Sequence, residues 1–195
     1  MRNLTSPPKL VIFDCDGVVV DSEPLTLNLL CEDLASHGLS LSLPEVIDLA
    51  VGGTIGGIGV QAKAMGAAIL DDWADQFYEK MFAVLGQSVE LIPGIEAVLD
   101  ALDHQGIPFA IGSNGSHRKM GITLGRCGVA ERFAGRAFSP EDVANPKPAP
   151  DVYLLAASKI EIAPGDCVVI EDSATGARAG VAAGMVVMGF THDTP

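Results

Sequence analysis

The run Lys9-Leu10-Val11-Ile12-Phe13 is almost wholly apolar and stops at Asp14, the pattern of a strand buried on both faces whose end meets solvent. From Glu23 to about Ile92 the rhythm changes. Leu25, Leu29, Leu30 and Leu34 recur at helical spacing, as do Trp73, Phe77, Lys80 and Met81, so this stretch is expected to be all-helical. After Pro93-Gly94, helices alternate with short apolar strands. Ile95, Val98, Leu99 and Leu102 form a helical stripe closed by Gly106, and Pro108-Phe109-Ala110-Ile111-Gly112 is strand-like. Ser116 can cap a helix running to about Cys127, Arg136-Ala137-Phe138 is a brief strand candidate, and Asp151 to Lys159 reads as helix. Cys167-Val168-Val169-Ile170 gives a strand, a small-residue helix runs to Ala183 and stops at Gly184, and Met185 to Phe190 forms a last strand.

Strands alternating with helices imply an α/β fold, a doubly wound, Rossmann-like parallel sheet covered on both faces. The interrupted start implies an inserted helical cap. The expected division is residues 1–22 with 93–195 as the α/β core and 23–92 as the cap. In such sheets ligands sit beyond the carboxyl ends of the strands, at a topological switch point, and every polar motif below follows a predicted strand. No internal repeat or low-complexity tract is visible.

With 48% hydrophobic residues the chain can fill the core of one domain, or of a domain carrying a modest insertion. No apolar run approaches the ~18 to 20 residues that span a bilayer, and the N-terminal residues lack a signal-peptide segment, so a cytoplasmic protein is expected. Cys15, Cys31, Cys127 and Cys167 are scattered, without Cys-x-x-Cys or metal-spaced His, and read as buried thiols. A net charge of −13 disfavours nucleic acid and anionic membranes as partners. A phosphate ester is an anion too, and binding one requires a local cationic trap.

Phe13-Asp14-Cys15-Asp16-Gly17 places two carboxylates one residue apart at a strand end. Unit charges ~4 Å apart repel by roughly 4 kcal/mol at an effective dielectric of about 20, so something must compensate. Taken singly, each motif has an ordinary reading. Asp14 and Asp16 can start a turn, Ser113-Asn114-Gly115 can form one, Lys147 in Asn145-Pro146-Lys147-Pro148 can be a solvated lysine, and Glu171-Asp172 can be helix N-terminal charges. Together, in this order and after strands, they outline a hard-cation site, hydroxyl and backbone donors for a phosphoryl group, and a fixed positive charge.

On these residues the chain resembles the haloacid dehalogenase-like hydrolases, in the helical-cap subgroup that includes beta-phosphoglucomutase and sugar-phosphate phosphatases. Asp14-Cys15-Asp16-Gly17, Ser113-Asn114, Lys147, and Glu171-Asp172-Ser173 with Gly176 match the four motifs, and Ser113-Asn114-Gly115 with Lys119-Met120 is similar to 6-phosphogluconate phosphatase-like members. The resemblance implies a phosphatase of small phosphate esters. Asp14 would attack phosphorus and Asp16 would act as acid and base. Mg²⁺ would be held by Asp14, the Asp16 carbonyl and Asp172, with Glu171 bound directly or through water. Ser113, the N–H groups of Asn114 and Gly115, and Lys147 would hold the transferring oxygens.

Other features rank below these. Ser116, His117, Arg118 and Lys119 could reach the far end of a substrate, although a solvated helix face fits the three charged residues equally well. Asp21-Ser22-Glu23 is expected to cap the first cap helix, and Cys15 to point into the sheet. Gly57-Ile58-Gly59-Val60-Gln61-Ala62 fits G-x-G-x-x-A without a preceding strand, so a flexible cap loop is expected instead of a nucleotide site. Mutases of the subgroup carry a cap histidine where Thr26 stands, and between Glu23 and Ile92 the cations are Lys63 and Lys80, so hydrolysis is favoured over phosphotransfer. A receiver-type phospho-accepting signalling module is the rival from another class, but it needs neither the helical insertion nor Asp16. The chain ends just after its last predicted strand, where similar proteins continue through a helix. A monomer or weak homo-oligomer is expected.

Overall fold

The computed structural model describes residues 7–50 and 53–191. It divides into two compact units, Met1–Asp21 with Glu90–Pro195, and Ser22–Val89.

In the first unit, β1 (Leu10–Phe13), β2 (Phe109–Gly112), β3 (Ala137–Phe138), β4 (Cys167–Glu171) and β5 (Val186–Gly189) form one parallel sheet in the order β3-β2-β1-β4-β5. The chain therefore builds outward from β1 to one side, then returns to the other, which creates the switch point beside β1. All four residues of β1 are buried. With a side-chain period of two, Leu10 and Ile12 face one layer and Val11 and Phe13 the other. The first layer joins them to Val152, Tyr153 and Ala156 of α7 (Asp151–Lys159) and to Ala179 of α8 (Ala174–Ala182). On the other, Phe109 packs edge-on against Phe13 and Phe133, with ring centroids 6.4 and 5.3 Å apart. Each such fully buried side chain contributes about 1.5–3 kcal/mol.

Local stop signals act as the sequence predicts. Gly106 ends α5 (Ile95–Gln105) at φ 65°, a left-handed conformation that suits glycine. Ser116 caps α6 (His117–Arg126), its hydroxyl accepting from the Lys119 N–H.

The second unit holds α1 (Glu23–Ser36), α2 (Leu43–Ala50), α3 (Ile55–Ala64) and α4 (Trp73–Ser88). Trp73, Phe77, Met81 and Leu85 make the buried stripe of α4. Buried Asp33 of α1 accepts from the Trp73 indole N–H at 2.6 Å and pairs with Lys80, so a charge inside this unit is satisfied from two sides.

Two local expectations fail here. The glycine-rich run 57–62 is not a loop but lies in α3, with the Thr54 hydroxyl accepting from the Gly57 N–H at 3.1 Å. Gly59 serves close approach, because a Cβ there would stand 2.9 Å from the Trp73 ring. Val51 and Gly52, part of the same run in sequence, lie outside the described residues. Ser22 occupies the N-cap position of α1 without a side-chain cap bond, since its own backbone is already helical at φ −94°, ψ −22°. Among the described residues no single helix is long and apolar enough to cross a membrane.

Candidate active site

Strand register brings the motifs together. Phe13 is level with Ile111 on β2 and Ile170 on β4, so Asp14, Ser113 and Glu171 all fall at the carboxyl edge of three adjacent strands. The Asp14 N–H donates to the Ile170 carbonyl at 2.9 Å, extending the ladder to the carboxylate itself. Gly17 then turns the chain at φ 77°, and a Cβ there would overlap the Asp172 carboxylate. Its absence lets the first and last motifs meet.

Lys147 is the centre of a buried ionic network. Its Nζ donates to Asp14 Oδ1 at 2.9 Å and Glu171 Oε1 at 2.6 Å, and lies 4.7 Å from the Tyr153 ring centroid. The Tyr153 hydroxyl donates to the same Glu171 oxygen at 2.9 Å. Glu171 Oε2 accepts from the Ser173 N–H and hydroxyl at 2.9 and 2.8 Å. Both oxygens of Glu171 are thus engaged within the protein. Gly176 makes room for this carboxylate, which a Cβ at that position would overlap. The Lys147 backbone is fixed by Asn114, whose amide accepts from the Lys147 N–H at 3.0 Å and donates to its carbonyl at 3.2 Å.

Electrostatics follow from this packing. Burial pushes the Asp14 carboxyl from its ordinary 3.8 up to about 6, against the pull of Lys147 and with added repulsion from Glu171 and Asp16. Burial acts the same way on Glu171, but there Lys147 and the Ser173 donors prevail and hold it below its usual value. Lys147 is held above the ordinary lysine value by Asp14 and Glu171 although burial opposes this. The Cys15 thiol, wholly enclosed, is pushed well up by burial and by the neighbouring aspartates, which leaves it unfit as a nucleophile.

Asp14, Glu171 and Asp172 each offer a carboxylate oxygen, all within 4.8 Å of one another. An all-oxygen, anionic donor set suits a hard divalent cation such as Mg²⁺. Because Glu171 already satisfies Lys147, Tyr153 and Ser173, Asp14 and Asp172 are the better direct ligands and Glu171 fits an outer role. Beside them, Asp16 Oδ1 pairs with Lys119 Nζ at 2.8 Å. The Ser113 hydroxyl accepts from the Gly115 N–H at 2.9 Å, tightening the turn after β2.

A family model described as haloacid dehalogenase-like hydrolase matches residues 8–184. The chain belongs to this family. The hydrolase is 32% identical over 188 residues to hexitol phosphatase A of Escherichia coli, covering 94% of this chain and 84% of the relative. It is 30% identical over 185 residues to 6-phosphogluconate phosphatase of the same organism, covering 94% and 82%. Among solved structures, a haloacid dehalogenase family hydrolase from Deinococcus radiodurans with bound phosphate and sodium superposes with a TM-score of 0.80 at 36% identity, covering 94% of this chain and 80% of that one.

In this haloacid dehalogenase-like hydrolase, Asp14, Asp16, Ser113, Lys147, Glu171 and Asp172 lie close together at the carboxyl edge of the sheet. The flanking residues expected to reach a substrate differ in their surroundings. Ser116 is an N-cap, His117 Nε2 pairs with Asp142 Oδ2 at 2.8 Å, Arg118 is exposed, and Lys119 turns inward to Asp16. The Asn114 side chain is likewise committed to the Lys147 backbone. Sequence reasoning missed Tyr153 and the inward turn of Lys119. The second had a readable signal, because a cation in the first turn of a helix opposes the macrodipole and is best placed against a carboxylate.

Proposed function

We propose that the protein is a cytoplasmic, Mg²⁺-dependent phosphatase of small phosphorylated metabolites, sugar or sugar-acid monophosphates, working through an aspartyl-phosphate on Asp14. The observation that carries this is the contact of Lys147 with Asp14 at the edge of β1, with Asp172 in ligand range of the same carboxylate. The named phosphatase relatives support the same reaction class.

Asp14 attacks phosphorus as a carboxylate, and the ester P–O bond breaks as the Asp14–phosphorus bond forms. Lys147, Ser113 and the N–H groups of Asn114 and Gly115 hold the transferring oxygens, and Asp16 donates its proton to the departing alkoxide. Asp16 then takes a proton from the water that cleaves the intermediate and frees Asp14. Mg²⁺, held by Asp14, Asp172 and the Asp16 carbonyl, would neutralise the crowded carboxylates and polarise a phosphoryl oxygen. The helical unit, residues 22–89, would serve as the cap that selects the ester.

A panel of phosphate esters assayed for released phosphate, with Mg²⁺ or with EDTA and beside Asp14→Asn, tests the reading. Turnover of several monophosphates is expected with the metal and none without it or in the variant. Release that persists in EDTA would sink the mechanism, and conversion of beta-glucose 1-phosphate with a bisphosphate primer would shift the assignment to a mutase.

A further inference from the structure

The pair between Asp16 and Lys119 is built with more care than a surface ion pair. Lys119 sits in the first turn of α6, where the helix dipole repels it, yet its side chain is only 18% exposed and its Nζ is spent on Asp16 Oδ1 at 2.8 Å. The opposite oxygen, Asp16 Oδ2, faces the turn after β2. A Cβ placed on Gly115 would stand 3.3 Å from that oxygen, 3.3 Å from Ser113 Oγ and 3.6 Å from Lys119 Cδ. The carboxyl group is therefore clamped at one oxygen by a cation on α6 and presented by the other to the turn that holds the phosphoryl group in the proposed reaction. That turn is itself fixed by the Gly115 N–H to Ser113 hydroxyl bond at 2.9 Å and by the Asn114 clasp on the Lys147 backbone.

We infer that Lys119 is a positioning residue that acts through Asp16, fixing the carboxyl so that Oδ2 meets the leaving oxygen. The inference rests on the phosphatase reading above. In the first half-reaction the ester P–O bond breaks, the electron pair stays on the substrate oxygen, and the Asp16 proton moves onto that oxygen to give the alcohol. A loosely held carboxyl loses this transfer first, since misplacement by about 1 Å costs on the order of a hundredfold. Esters differ in how much they need it: an alkoxide must be protonated as it leaves, whereas nitrophenolate departs unaided.

The test compares Lys119→Met and Lys119→Arg with wild type, as full chains with Mg²⁺, on an alkyl phosphate that the wild type hydrolyses and on p-nitrophenyl phosphate. kcat/KM is read because it reports only steps through the first P–O cleavage. For Lys119→Met the alkyl ester should lose about tenfold to a hundredfold more kcat/KM than the aryl ester, as expected when general acid catalysis worth about 10² to 10⁴ is impaired. Lys119→Arg should recover most of the loss, and Lys119→Met added to Asp16→Asn should cost nothing further on the alkyl ester. Equal losses on both esters, additive losses in the double variant, or no loss at unchanged thermal stability would each overturn the inference. A wild type that cleaves neither ester with Mg²⁺ would instead remove the phosphatase reading beneath it.

Discussion

Replacing Lys147 with Met removes the ammonium group and keeps most of the apolar stem. The Lys147 side chain is 3% exposed, and its Nζ lies 2.9 Å from Asp14 and 2.6 Å from Glu171. Without it, carboxylate oxygens within 4.8 Å of each other face one another unscreened. At an effective dielectric of about 20 that repulsion alone is roughly 3 kcal/mol, and breaking a buried pair typically costs about 3–5 kcal/mol in all. The variant should lose that much stability near neutral pH in EDTA, a large part of the whole for a domain held by about 5–15 kcal/mol. The pH dependence carries the diagnosis. In the wild type Asp14 already ionises late, at about 6, so it opposes folding increasingly as pH rises from 3.8 through that value. Glu171 is held low and contributes stability above its ordinary 4.5, lost as pH falls through its folded value. In the variant both lose the cation, both folded values rise, and the penalty grows with pH until each is ionised. Urea unfolding at about pH 5 and about pH 7.5 should therefore show a defect that shrinks in acid. An unchanged stability at the higher pH, or a defect that grows on acidification, would refute the reasoning.

Gly176→Ala should displace the Glu171 carboxylate that a Cβ would overlap, lowering thermal stability and reducing kcat at least about tenfold with little change in KM, since Lys147 loses its orienting partner. Asp33→Ala should destabilise the helical unit by about 1–3 kcal/mol, read by urea unfolding, because the Trp73 N–H and Lys80 lose their acceptor. Thiol alkylation of the native chain near pH 8, followed by mass spectrometry, should label Cys31 and Cys127 before Cys15 and Cys167. Burial, helped by Asp166, pushes the Cys167 thiol to about 11, which leaves only about one molecule in a thousand as thiolate. Calorimetry with inorganic phosphate should show binding in Mg²⁺ and none in EDTA, and tight metal-free binding would contradict the charge balance of the site.

Much of the fold was legible because its signals are local. Asp14 halting an apolar run, Gly106 ending a stripe and Ser116 opening a helix each encode a boundary within a few residues, and β1, α5 and α6 follow them. The run 57–62 misled because a glycine's role depends on what stands opposite, and Trp73 lies fourteen positions beyond Gly59. The site divides in the same way. Asp14, Ser113, Lys147 and Asp172 could be chosen by chemistry and by their position after strands. The convergence of Asp14, Ser113 and Asp172 depends on the register of β1 with β2 and β4, and that of Lys147 on the Asn114 clasp, which no local pattern states. Tyr153 escaped notice because a tyrosine on an apolar helix face reads as core. Its hydroxyl becomes informative only when Glu171 is found beneath it.

The ionic network also explains how a chain of charge −13 can take an anion. Asp14, Glu171 and Asp172 outweigh Lys147, and Asp16 is balanced by Lys119, so the bare cluster is negative and repels a phosphate dianion. The upward push on Asp14 comes first from burial, and the neighbouring Glu171 and Asp16 charges add to it against the pull of Lys147. Glu171, with four donor contacts, stays ionised and anchors Lys147, while Asp14, the proposed nucleophile, carries the frustration. A divalent cation against Asp14 and Asp172 would relieve the frustration and cancel the cluster's excess negative charge, removing the repulsion that an incoming ester meets. On the proposed reading, the same carboxylate excess that repels anions from the metal-free protein would favour a hard dication, and metal loading would become the condition for substrate entry.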